Sequence, residues 1–152
     1  MTVNETFSSP SLITRIAIGK AVGLVIGLLG FILLPIVLPD ADVYFRWGLL
    51  LWYASIGAVI GVFGVFTYHP ILKLPMPWWV RAPIIGAWFN FVLTLFMFDK
   101  LSAYMAAFLG QGSGMSSPFW VVLEGALVGF LIGFLCTRYG GEGRETVADQ
   151  PS

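Results

Sequence analysis

Four long apolar runs, separated by short clusters of polar and proline residues, divide the chain. They cover about residues 15–38, 46–67, 82–100 and 118–138. Charged residues sit at or near the ends of these runs, with one exception, Glu124. Runs of this length, at 1.5 Å per residue, match the roughly 30 Å of a bilayer's hydrocarbon core. The pattern predicts an all-α fold: a polytopic transmembrane four-helix bundle with glycine-rich helix interfaces. Residues 1–11 are expected to form a cytoplasmic N-terminal segment, 12–139 the membrane domain and 140–152 a disordered cytoplasmic tail.

Proline and serine punctuate the runs. Ser9-Pro10 and Ser117-Pro118 read as helix starts, a capping hydroxyl followed by proline at the first helical position. Pro35 and Pro39 predict a kink near Phe31 or an early stop in the first span. The connection at 39–42 is short and acidic. The one at 69–81 carries Pro70, Pro75 and Pro77, so it reads as irregular, with Trp78, Trp79, Lys73 and Arg81 suited to a membrane interface. Residues 101–110 keep a helix-compatible pattern, running on from the third span or lying along the bilayer. A Gly/Ser loop follows at 110–117.

Small residues recur four apart in every span. Gly19, Gly23 and Gly27 lie in the first, Gly57 and Gly61 in the second, Ala82, Gly86, Asn90 and Thr94 in the third, and Gly125, Gly129 and Gly133 in the fourth. That spacing puts each set on one helix face, where backbones can approach closely. The faces serve either packing inside one bundle or contacts between subunits. Gly64, off this spacing, is expected to tolerate bulk better than Gly129. The segments 57–63 and 125–131 also resemble each other at an offset of 68 residues, and Arg15 and Arg81 precede the first and third spans at an offset of 66. A duplicated two-helix hairpin, repeated in parallel, would produce both.

Composition sharpens the class. The chain is 58% hydrophobic and 11% charged, against about 25% charged in a soluble domain. Lys plus Arg and Asp plus Glu both count 8, which gives no electrostatic case for nucleic acid. One cysteine excludes an internal disulfide, and one histidine beside it makes a Cys/His metal site unsupported. No phosphate-binding, nucleophile-elbow or dinucleotide fingerprint points to a cofactor. Enzyme chemistry needs an acid and a base, or a nucleophile with a base. The spans offer one carboxylate and no histidine, so no enzyme is expected. Arg15, Lys20, Lys73, Arg81, Arg138 and Arg144 fall on one side of the threading, Arg46 and Lys100 on the other. The positive-inside rule then puts both termini in the cytoplasm, in a membrane of the bacterial inner (plasma) type.

Glu124 is the sharpest single residue. Helical rise from Pro118 places it about 9 Å inside the outer boundary. The same arithmetic puts Thr94 roughly 7 Å, Tyr53 about 9 Å, Ser55 about 12 Å and Asn90 about 13 Å deep, all in the outer half. These groups are expected to cluster around the carboxylate. A carboxylate is costly to keep in hydrocarbon, so it reads as a cation or proton site or as a hydrogen-bonded strut between helices. Two function classes follow: a small transporter or channel, working as a homo-oligomer through Glu124, and an accessory or scaffold subunit held to larger membrane proteins by its glycine faces. Beyond the lipid bilayer no partner is identified. His69, Trp78, Trp79 and Cys136 read as interface or packing residues. The glycosylation acceptor at Asn4 would face the cytoplasm, out of reach of that machinery.

Overall fold

The computed structural model describes residues 10–112 and 114–147. Among them are five α-helices: α1 (Leu12–Val37), α2 (Val43–Phe63), α3 (Trp78–Phe96), α4 (Phe98–Leu109) and α5 (Trp120–Gly140). A 3-10 turn follows at Arg144–Thr146. Helices α1, α2, α3 and α5, of 26, 21, 19 and 21 residues, are each long and apolar enough to cross a membrane. The protein is an all-helical, multi-pass membrane protein.

Helix ends show where local chemistry overrode the expected boundaries. Ser11 caps α1, its hydroxyl accepting the Thr14 N–H at 3.4 Å; Ser9 lies outside the described residues. Helix α1 then runs through Pro35 to Val37, so the early stop does not occur. Proline lacks the N–H that would bond the Phe31 carbonyl. Arg46 supplies the missing donor, its Nε 3.1 Å from that carbonyl and its guanidinium 4.2 Å from the centre of the Phe31 ring. Helix α3 begins at Trp78, ahead of the predicted residue 82, because only Pro70 and Pro75 break the chain. Pro77, extended at ψ 159°, stands at the N-cap position. His69 organises the turn before it, its Nδ1 accepting the Ile71 and Leu72 N–H groups. The Ser117-Pro118 signal produces a turn rather than the helix itself, which starts at Trp120.

The third span also ends early. At Met97 the backbone turns out of the helix (φ −119°, ψ 29°), and α4 sets off as a separate amphipathic helix. Its Leu101 and Met105 are buried against Leu34, Phe45, Leu93 and Val121, while Phe108 stays exposed. Beyond α5, part of the expected tail is held to the bundle. The Gly143 N–H bonds the Gly64 carbonyl at 2.9 Å, and Glu142 pairs with Arg81 at 2.7 Å. Residues 148–152 lie outside the described residues.

The most extensive helix contacts are α1 with α2 and α3 with α5. Each pair meets on glycine. A Cβ on Gly19 would overlap the Gly57 carbonyl, and one on Gly57 the Gly19 carbonyl; Gly86 and Gly125 stand in the same reciprocal relation. The correspondence continues along both seams. Gly61 faces the Arg15 carbonyl as Gly129 faces the Ala82 carbonyl, and Gly23 rests on the Tyr53 carbonyl. Only a missing side chain permits such approach, and in lipid the gain is dispersion rather than hydrophobic burial. The two hairpins therefore pack alike, as the repeat in the sequence suggests. Gly64 is not open space: a Cβ there would strike the Arg15 guanidinium, the end of a side chain, whereas one on Gly129 would strike the Ala82 backbone carbonyl.

Two buried arginines tie the hairpins together at one end. Arg15 is 1% exposed and donates from Nε to the Gly61 carbonyl at 3.1 Å and from Nη1 to the Gly141 carbonyl and Thr137 Oγ1. Arg81, 5% exposed, reaches the Phe66 and Met76 carbonyls and Glu142. Each guanidinium so donates to carbonyls at helix ends and turns, where the helix ladder runs out.

At the opposite end Asp42 caps α2, its Oδ1 accepting the Phe45 N–H at 2.7 Å, and its Oδ2 pairs with Lys100. The Lys100 hydrogen bond, then the Phe45 N–H, hold the Asp42 carboxyl below its ordinary value. A depressed carboxyl stabilises the fold above its unfolded pKa and loses that contribution as pH falls through the folded one. Asp42→Asn should therefore lower the thermal midpoint at about pH 7, and the gap to wild type should close toward about pH 3. A gap constant across that range would remove the linkage.

Candidate functional site

Between α1, α2, α4 and α5, at the Asp42–Lys100 end of the bundle, lies a crevice of about 230 Å3. Its walls are apolar, from Ile26, Leu33, Leu49 and Leu101 among others, with the rings of Phe45 and Tyr104. Gly27 and Gly30 thin the α1 wall. One charged side chain lines it, Glu124, and no basic residue does. Glu124 is exposed at the edge of this space.

Helix geometry explains why the carboxylate is there. On α5, Gly125 and Gly129 occupy the seam against α3, and Glu124 lies one residue round the helix, off that seam. It is set against α2, where the Tyr53 hydroxyl donates to its Oε1 at 2.9 Å. Behind Tyr53 stands Asn90, which is fully buried. Its Nδ2 donates to the Tyr53 oxygen at 3.3 Å and to the Val121 carbonyl at 2.9 Å, and its Oδ1 accepts the Trp52 indole N–H at 3.2 Å. The inventory is closed. Trp52 can only donate, so the Asn90 oxygen is committed, and both its amide hydrogens are committed in turn. Tyr53, accepting from Asn90, has one hydrogen to give, and it goes to Glu124. Among the described residues, Oε2 of Glu124 has no partner.

The relay thus fixes one oxygen as an acceptor and leaves the other for a proton or a cation. Burial, then the negative charge of Glu124, push the Tyr104 hydroxyl on the opposite wall above its ordinary value, so it stays neutral at physiological pH. The packing repeat marks the same place. Asn90 takes in the second hairpin the position that Gly23 takes in the first, meeting the Val121 carbonyl where Gly23 meets that of Tyr53. Polar chemistry enters where the two hairpins cease to match.

Of the residues singled out in the sequence, the structure brings together Glu124, Tyr53 and Asn90. Thr94 adjoins them differently: its hydroxyl turns back along α3 to the Asn90 carbonyl at 2.7 Å and does not reach Glu124. Ser55 stands apart, exposed, its hydroxyl spent on the Leu51 carbonyl at 2.8 Å. Such back-bonding is the usual fate of a serine or threonine within a helix. Trp52 was missed as a member of the relay, because a tryptophan near a span's end reads first as an interface anchor. Cys136 is fully buried, its thiol donating to the Arg15 carbonyl at 3.3 Å, and belongs to the packing. Trp78 packs on Phe130 and Phe134 of α5. No family model, curated protein or solved structure matches the chain.

Proposed function

We propose that the protein is a small transporter in which Glu124 is the exchanging cation or proton site, reached from the outer side of a plasma membrane of the bacterial inner type. One observation carries this: a carboxylate at the edge of an apolar crevice, oriented through one oxygen by Tyr53, with its other oxygen uncommitted. Beneath the relay lies a sealed layer in which Ile56, Ile60, Ile132 and Cys136 are each at most 2% exposed. That layer favours a carrier over an open channel. The scaffold reading loses its main support, since the predicted glycine faces are filled by neighbours within the chain.

The direct test is charge movement. In sealed vesicles fused to a solid-supported membrane, jumps in a panel of inorganic and small organic cations should produce a transient current. Glu124→Gln should abolish it. Currents equal in the two proteins, or absent for every cation, would overturn the transport reading.

Orientation rests on the six cations gathered at the Arg15 end. Single cysteines at Gln111 and Glu145 should label from outside and inside, respectively, in sealed cells. Cys136 needs no removal, being sealed in the core. Labelling of Glu145→Cys from outside would reverse the orientation.

A further inference from the structure

We infer that the crevice takes a small lipophilic organic monocation, an alkyl- or arylammonium group, rather than an inorganic ion; this rests on Glu124 as the cation site. The donor set decides between the two. A bare metal cation must be given oxygens in place of its hydration shell, six or more for the hard divalent ions. The crevice offers the Glu124 carboxylate and the hydroxyls of Tyr53 and Tyr104, and the Tyr53 oxygen already accepts from Asn90. An inorganic ion would be left facing leucine and isoleucine, with its dehydration uncompensated.

An organic ammonium inverts that balance. Its charge is compensated by one carboxylate, and the surrounding carbon is matched by the Ile26, Leu33 and Leu49 wall and by the aromatic side chains of Phe45 and Tyr104 that also line the space. Single charge fits single charge, because no second acid lines the space. Size is bounded as well. At about 230 Å3 the crevice lies below the roughly 300–1,000 Å3 of drug-sized sites, so the occupant is compact.

Gly30 gives a test that spares the fold. A Cβ there meets nothing within 4 Å, and the residue lines the crevice. Gly48 is equally unobstructed but lies outside it. Benzyltrimethylammonium chloride is titrated calorimetrically into purified wild type, Glu124→Gln, Gly30→Phe and Gly48→Phe, with sodium and magnesium chlorides as comparison ligands. Binding to wild type should weaken by at least about tenfold in Glu124→Gln and in Gly30→Phe, a loss of about 1.4 kcal/mol or more, and stay unchanged in Gly48→Phe. Equal affinity in Gly30→Phe and wild type would place the cation outside the crevice and overturn the inference. So would absence of organic-cation binding beside Glu124-dependent currents from sodium or magnesium, an outcome that leaves the transport reading standing. Binding that depends on both residues without any current sustains the ligand class and removes transport.

Discussion

Gly57→Ala should lower the protein's folded stability in detergent by about 3 kcal/mol, although it adds one methyl group. Its Cβ falls on the carbonyl of Gly19, and a carbonyl in a helix ladder cannot rotate away as a side chain can. The helices must separate along the seam, forfeiting the dispersion contacts on which association in lipid depends. Overpacking typically costs about 1–3 kcal/mol, and a clash against backbone belongs at the top of that range. Gly125→Ala should cost as much and act on the site too, since its Cβ would press on Asn90 Cβ and Cγ at 2.7 and 2.8 Å. Gly30→Ala is the internal standard. Open space surrounds it, and replacing a mid-helix glycine should gain roughly 0.5–1 kcal/mol. Thermal midpoints of the three variants decide the matter. If Gly57→Ala melts with wild type, α1 and α2 do not touch as described.

Glu124→Gln should leave the protein folded and abolish its cation-dependent current. The amide oxygen still accepts from Tyr53, so the relay survives while the negative charge is gone. Glu124→Asp should behave differently. It keeps the charge but withdraws the carboxylate by about one methylene, roughly 1.5 Å, from a hydroxyl now at 2.9 Å. The oriented oxygen is lost, and a reduced current should remain. Tyr53→Phe isolates the relay from the charge. It leaves Glu124 unoriented and Asn90 with one fewer partner, at a stability cost of about 1 kcal/mol, with current reduced rather than abolished. Were Glu124→Asp silent and Glu124→Gln fully active, the carboxylate would be structural and the site's chemistry misassigned.

Much of this molecule is written in its local pattern. The spans follow from the length of the apolar runs, and the seam faces from glycines four apart, because helical periodicity converts spacing into direction without reference to neighbours. Glu124 stood out for the same reason: one charge inside an apolar run needs no partner to be noticed. What tertiary structure decided was pairing. Tyr53 and Ser55 both lay within one helical turn of Glu124 in depth, yet residues two apart on a helix point to different sides, and the α2–α5 approach selected Tyr53. Arg15 and Arg81 read as interface cations but lie buried, because each finds carbonyls at helix ends and turns outside its own helix. Arg46 on Phe31 is the same case, a donor from α2 meeting a carbonyl released by a proline in α1. Spacing fixes where a side chain points on its own helix; which oxygen it meets depends on how the helices are set against one another, and the close glycine seams set that for each hairpin.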